Sequence, residues 1–467
     1  MKNAHSLDMS NGPLLKNILL FALPMVASGV LQILYNAADQ IVVAKWAGGT
    51  ALAAVGSNAA LINLLVNLFV GLSLGANVII ARFFGAGDDE SVSSAAHTAM
   101  CLSVVCGLLA MVAGLAVSRP ALEWMGSPDD VIDQATLYLR IYFLGVPFSM
   151  VYNYGAAILR AVGDSRRPLN ILMLSGAINV ALNLLLVIGL GWSVAGVATA
   201  TAVSQAVSAG LVIYCLRHAE GSHRLCWKKL RIAGDKFWSM LRYGVPVALQ
   251  GCVFSLSNIV LQSSINTFGA AGMAGCAADA TIEGLVFTGM DALKGTCIVC
   301  IGQNIGARKP ERVKRSLTTC LLLVTAVGMA FGWGIYALRR PILSLYAAAS
   351  MTQTTVTAEE IFFFATQRMQ IVATTYFLCG LMNVAAGSVQ ALGAPWVATV
   401  SAVIGTVGLR LFWIFRIFPT MEHTIFNLFL CYPISWVFTM AAHFLCLSIL
   451  LPRVLRGLRT PLPAEQS

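Results

Sequence analysis

The chain has 467 residues, of which 58% are hydrophobic and 11% charged, with a formal net charge of +10 and a mean hydropathy of +0.79. Soluble domains carry about 45–50% apolar and about 25% charged residues. Too few charges are present here to solvate this much apolar surface, which excludes both a soluble globular protein and a disordered chain. The basic excess lies between apolar runs, not in a basic helix or a Cys/His spacing, so it reads as loops against an anionic membrane face rather than nucleic-acid or metal binding.

Apolar runs long enough to cross a bilayer, about 20 residues for about 30 Å of hydrocarbon, recur twelve times. They fall near 15–45, 52–81, 92–117, 132–157, 169–190 and 193–216, then near 237–268, 273–305, 314–338, 359–389, 395–418 and 425–450. Helices satisfy their own backbone in lipid, and the short alternating runs of a membrane barrel are absent. The expected fold is an all-α polytopic membrane protein. With an even number of crossings both termini share a side, and twenty Lys and Arg on that side against seven opposite make it the cytoplasmic face of the plasma (inner) membrane.

The first run holds Gln32, Tyr35, Asn36 and Asp39 on one helical face and is bent or broken at Pro24. A polar stripe ending in a carboxylate must face a bundle interior or a wet cavity, and a proton or cation arriving at Asp39 would remove the cost of its buried charge. The fourth run contains Pro147, another expected bend, and offers Met150 and Asn153 as cavity-lining candidates. The fifth contributes Met173 and stacks Asn179 on Asn183 at i,i+4, and the sixth adds Thr199, Thr201, Ser204 and Gln205. Those oxygens serve equally as a hard-cation site beside a carboxylate or as interhelical hydrogen-bond glue.

The longest hydrophilic stretch, 217–236, divides the chain into a domain of residues 1–228 and one of residues 229–467. The seventh run bends at Pro246. The eighth carries four charges: Asp279 and Glu283 at i,i+4, and Asp291 and Lys294 at i,i+3 as a self-neutralising pair. Glu283 has no cationic partner in its own helix, so it becomes a candidate for binding a proton or cationic substrate, with Phe287 one turn on. Cys297 and Cys300 form a C-x-x-C inside the membrane and read as small packing residues.

The halves resemble each other. Pro24 returns as Pro246, Gly85-Ala86 as Gly306-Ala307, and Gly163 as Gly393, at offsets of 222, 221 and 230 residues. Six crossings is an even number, so the repeat is parallel, about an axis normal to the bilayer. Twin six-helix lobes about a pseudo-twofold axis imply a transporter working by alternating access at one seam. An ATP-driven pump is excluded because no G-x-x-x-x-G-K-[ST] loop occurs. An intramembrane enzyme lacks a motif, since His97 and His443 are isolated.

Pro24, Gly29, Tyr35 and Asp39, then 51–56 (ALAAVG), Gly71, Gly75 and 84–87 (FGAG), together with 160–164 (RAVGD) before Pro168 and 302–307 (GQNIGA), resemble the multidrug and toxic compound extrusion (MATE) family along nearly the whole chain. The resemblance implies a twelve-helix antiporter that expels amphipathic, cationic small molecules in exchange for protons or sodium ions. By it, Asp39 matches the first-helix carboxylate that binds the coupling ion, with Asn179 and Thr201 as polar members of that site. Asn183 stands where many relatives carry aspartate, which weakens a sodium site and favours protons. Phe254 occupies the stretch where one branch has a glutamate, placing the chain nearer the DNA-damage-inducible-type branch. No organic cofactor is implied, and a monomer is expected. The alternative function is a flippase for lipid-linked saccharides on a related architecture, which would favour a cationic cavity. The intramembrane charges read as mostly acidic, with Lys294 alone opposing.

Overall fold

The computed structural model describes residues 7–126, 128–350 and 357–460. Among them there is no strand, and twelve helices are long and apolar enough to cross a membrane. They are α1 (Leu14–Ala47), α2 (Ala54–Ala86), α3 (Asp89–Trp124), α4 (Val131–Ala161), α5 (Arg166–Gly189), α6 (Ser193–Arg217), α7 (Gly234–Asn266), α8 (Gly269–Gly306), α9 (Pro310–Ala337), α10 (Ala358–Leu392), α11 (Pro395–Thr420) and α12 (Ile425–Arg459). Each predicted crossing coincides with one of them. A further helix, Arg339–Ser350, lies between α9 and α10, where the sequence pattern gave only two loop arginines.

Helix starts follow the sequence chemistry. Asp88 accepts the Ser91 backbone N–H at 2.9 Å to begin α3, and Asp164 accepts those of Arg166 and Arg167 to begin α5. Thr357 and Glu360 form a reciprocal capping box at the head of α10. Pro24, Pro147 and Pro246 all sit inside helices that continue through them, so none breaks its helix, as the sequence had allowed. In lipid-type surroundings neighbouring groups compensate for the lost backbone bond.

The chain forms two compact units, Met1–Ala248 and Leu249–Ser467. The division falls inside α7, later than the linker boundary at 228 expected from the sequence. The reason is close packing: a Cβ on Gly71 or Gly75 of α2 would stand 2.4 Å from Ala248 Cα or 2.1 Å from the Met240 carbonyl oxygen, so the first turns of α7 belong with α2.

Each unit is built around its fourth spanning helix. In the first, α4 packs on α2, α3 and α6; in the second, α10 packs on α8, α9 and α12. These are also the most enclosed spans, with 61% and 67% of their apolar windows buried, against 28% for α3. The outer helices turn large apolar side chains such as Leu109 and Leu322 outward, as a lipid-facing surface requires. Asn58 and Asn77 of α2 donate to the Ala135 and Ala157 carbonyls of α4, both at 3.0 Å, supplying polar glue where apolar side chains give no net drive to associate.

The repeat read from the sequence recurs in packing detail. Gly107 of α3 lets Pro147 of α4 approach so closely that a Cβ would lie 2.7 Å from its Cα, and Gly328 of α9 does the same for Phe377 of α10 at 2.6 Å. Gly163 and Gly393, each ending the central helix of its unit, both adopt positive φ, 91° and 113°.

Candidate functional site

In the first unit α5 packs on both α1 and α6, and this brings the polar positions of the first and fifth runs together. Asp39 and Asn183 lie 144 residues apart in sequence, yet the Asn183 side-chain amide donates directly to Asp39 Oδ1. The same amide reaches Asn179 Oδ1 at 3.3 Å. Asn179 and Asn183 are buried, at 6% and 1% exposure, whereas Asp39 keeps partial access. The carboxylate therefore has one neutral donor and no cation beside it among the described ion pairs.

Both helices change geometry next to these residues. The α-helical part of α1 ends at Val42 and gives way to a π-helical turn, Val43–Ala47. That of α5 ends at Asn183 itself and gives way to Leu184–Gly189. Such π turns redirect side chains and gather at functional positions.

Three buried side-chain oxygens on α5 and α6, Asn183 Oδ1, Thr201 Oγ1 and Gln205 Oε1, have no hydrogen-bond partner among the described residues. Thr201 lies on α6, which packs against α5 and the π turn of α1, but no described hydrogen bond joins it to Asp39. Tyr138 of α4, 6% exposed, sits close enough to feel the Asp39 charge, and Tyr142 one turn on meets Gln205. The two tyrosines were not singled out from the sequence, where they look like ordinary core aromatics of an apolar run.

The remaining candidates of this unit separate into two groups. Gln32 is exposed, Met173 is 51% exposed, and Tyr35 is half-buried with its ring over Gly176 and its hydroxyl donating to the Met173 carbonyl at 3.3 Å. These three are accessible. Met150 is fully buried against Gly107, so it serves the α3–α4 contact in this conformation and not a cavity wall. Asn153 spends its amide on its own helix, donating to the Ser149 carbonyl at 2.9 Å.

The second unit holds a charge cluster that the sequence showed only in part. Arg368 of α10 donates through Nη2 to Glu283 Oε2 at 2.7 Å and through Nη1 to the Cys276 carbonyl at 2.6 Å, and its Nε stands 3.2 Å from Asp279 Oδ2. Its guanidinium carbon lies 4.6 Å from the Phe429 ring centre. Glu283 thus has a cationic partner, contributed by another helix, and is only 7% exposed. Arg368, one of the seven cations that the charge count set on the outer side, is a buried residue of the bundle, and Arg410 of α11 is another, 3.8 Å from the Tyr432 ring centre. Lys294 is therefore not the sole intramembrane cation. Lys294 and Asp291 do pair, at 3.9 Å, with Asp291 largely exposed, and Phe287 is 40% exposed. Cys297 and Cys300 are free and fully buried.

A cavity of about 1010 Å³ lies elsewhere in the first unit, under the 217–236 linker, lined by Ser91, His97, Arg224, Lys228 and Arg231 among others. His97 holds that linker in place, its Nε2 accepting the Cys226 backbone N–H at 2.9 Å.

Twelve apolar helices in two internally similar units, with Asp39 set beside buried amides, are the build of a polytopic membrane transporter. The MatE family model matches residues 24–185 and 246–415, one segment in each half. The chain belongs to this family of multidrug efflux transporters. It is similar to the probable multidrug resistance protein YoeA of Bacillus subtilis (strain 168), 27% identical over 404 residues and 85% of each chain. It is also similar to the FAD transporter of Shewanella oneidensis, 24% identical over 356 residues, 74% of this chain and 77% of that one. Among solved structures, an outward-facing multidrug resistance MATE family transporter of the MOP superfamily matches with a TM-score of 0.87 at 21% identity, covering 98% of this chain and 100% of that one.

Proposed function

We propose that the protein is a secondary antiporter of the plasma membrane that exports amphipathic cationic small molecules in exchange for protons, with Asp39 as the coupling carboxylate. The observation that carries this reading is the Asp39 carboxylate, set in an apolar helix with the Asn183 amide as its one hydrogen-bond donor among the described residues. An ion in such surroundings loses hydration that one neutral donor does not replace. Binding a proton cancels the charge and releases the amide to Asn179, so protonated and ionised states favour different arrangements of α1 and α5. Their π turns, Val43–Ala47 and Leu184–Gly189, adjoin Asp39 and Asn183, and turns of this kind gather at functional positions. Gln32, Tyr35 and Met173 supply an accessible face for an amphipathic substrate, and Phe287 a corresponding one in the second unit.

Protons are favoured over sodium because the site offers one carboxylate. A sodium ion needs several hard oxygens, and Asn183 here contributes an amide oxygen in place of a second charge. Uptake of a fluorescent organic cation into everted membrane vesicles, driven by a proton gradient or a sodium gradient separately, tests this. Proton-driven uptake that collapses with a protonophore and persists without sodium is expected, and uptake that follows sodium alone would overturn it. A second reading, movement of anionic amphipaths such as lipid-linked saccharides, draws on Arg410, which is buried and pairs with no carboxylate among the described residues. Competition of the fluorescent cation by anionic and by cationic amphipaths separates the two.

A further inference from the structure

Asp279 and Glu283 stand one turn apart on the same side of α8, and one guanidinium meets both carboxylates, with Arg368 Nε 3.2 Å from Asp279 Oδ2 and Nη2 2.7 Å from Glu283 Oε2. Asp279 is fully buried, Glu283 is 7% exposed, and both are packed against Arg368. As two carboxylate ions they could not bond to one another, because each would be an acceptor only. Their oxygens bear the mark of this: Asp279 Oδ1 and Oδ2 and Glu283 Oε1 are buried and have no hydrogen-bond partner. Orphaned buried acceptors are rare and each one costs free energy.

One guanidinium is not enough to satisfy both groups. Arg368 gives its short charge-assisted bond to Glu283 at 2.7 Å and a second N–H to the Cys276 carbonyl at 2.6 Å. Only Nε is left near Asp279, at 3.2 Å and outside hydrogen-bond geometry. The other polar groups that face the cluster are Tyr376, whose hydroxyl donates to the Glu283 backbone carbonyl at 3.3 Å, and Tyr432, Cys276 and Cys379, which carry no charge. Arg410 lies against Tyr432 and donates to Ser435 at 3.3 Å, and no described hydrogen bond or ion pair links it to either carboxylate.

We propose that Asp279 and Glu283 bind one proton between them, clamped by Arg368, as a proton site of the second unit separate from Asp39. Glu283, holding the charge-assisted bond, is the anion. Asp279 is the acid and donates its O–H to Glu283 Oε1. The proton turns two orphaned acceptors into a donor and an acceptor, and the local charge becomes one anion against one cation. Two carboxyls in contact share a proton for the same reason in acid–acid catalytic pairs, where neighbouring like charges cannot both persist.

The test is infrared spectroscopy of the full-length protein in lipid nanodiscs at neutral pH, in the Asp39→Asn background so that the Asp39 carboxyl contributes no band. The carbonyl stretch of a protonated carboxylic acid is expected, shifted in D2O. It is expected to vanish when Asp279→Asn is added, because Glu283 and Arg368 then form a balanced pair. It is expected to vanish equally with Glu283→Gln, which decides the matter if the Asp279 variant does not fold. No band in the Asp39→Asn protein, or a band that survives either second substitution, overturns the proposal.

Discussion

Replacing Arg368 with methionine keeps most of the side-chain volume and removes the charge from the centre of the second unit. Three polar contacts disappear, to Glu283 at 2.7 Å, Cys276 at 2.6 Å and Asp279 at 3.2 Å, along with the cation above Phe429 at 4.6 Å. Removing one partner of a buried ion pair costs about 3–5 kcal/mol, because the other charge is left without compensation. At about 2–4 °C per kcal/mol, the thermal midpoint of the purified protein should fall by on the order of 10 °C. Adding Glu283→Gln removes the stranded anion and should recover at least half of that loss, since a buried pair replaced by neutral groups of similar volume is often close to neutral in stability. Midpoints of wild type, both single variants and the double variant, read by fluorescence-detected size-exclusion after heating, complete the cycle. Additive losses, or an Arg368→Met midpoint within about 2 °C of wild type, would refute the view that this ion pair is a buried and energetically coupled unit.

Asn183→Asp places a second carboxylate against Asp39 and supplies the charge a hard cation needs. Sodium-driven efflux should appear or strengthen by at least about tenfold in sodium affinity, about 1.4 kcal/mol, and an unchanged sodium response in vesicle efflux counts against the arrangement of α1 and α5. His223, buried at 3% exposure in the linker between α6 and α7, is held from its ordinary 6.5 down to about 4, first by burial and then by the Arg167 charge. The unfolded chain therefore takes up this proton first as pH falls, and the native state loses up to about 3 kcal/mol between 6.5 and about 4. Thermal midpoints measured across that window should fall more steeply for wild type than for His223→Asn, and parallel curves would contradict the assignment.

The twelve crossings were legible because lipid imposes a simple rule, a long apolar helix, on every segment. The repeat was legible through Gly and Pro landmarks, which mark backbone events that both units must make, as Gly163 and Gly393 show. Asp39 and Asn183 could each be picked out as costly polar residues in apolar runs, and the stacked spacing of Asn179 and Asn183 placed them on one face. Their direct bond could not be read, since it depends on α1 packing against α5 across 144 residues. Arg368 shows the opposite limit. It stands near the start of its apolar run, where snorkelling to an interface is the ordinary behaviour of an arginine, and only the packing of α8 on α10 turns it inward to Glu283. Met150 was misleading for a similar reason: nothing in one sequence separates a methionine that fills a helix contact from one that lines a cavity.

The most direct test of Asp39 as the coupling group is substrate uptake by everted proteoliposomes containing wild type or Asp39→Asn, with an imposed proton gradient and with none. For the wild type the gradient should drive accumulation of an organic cation well above equilibrium. For Asp39→Asn, whose neutral amide cannot exchange a proton, equal amounts of inserted protein should bring the cation only to equilibrium whatever the gradient. Gradient-driven accumulation at the wild-type level in that variant would contradict the account.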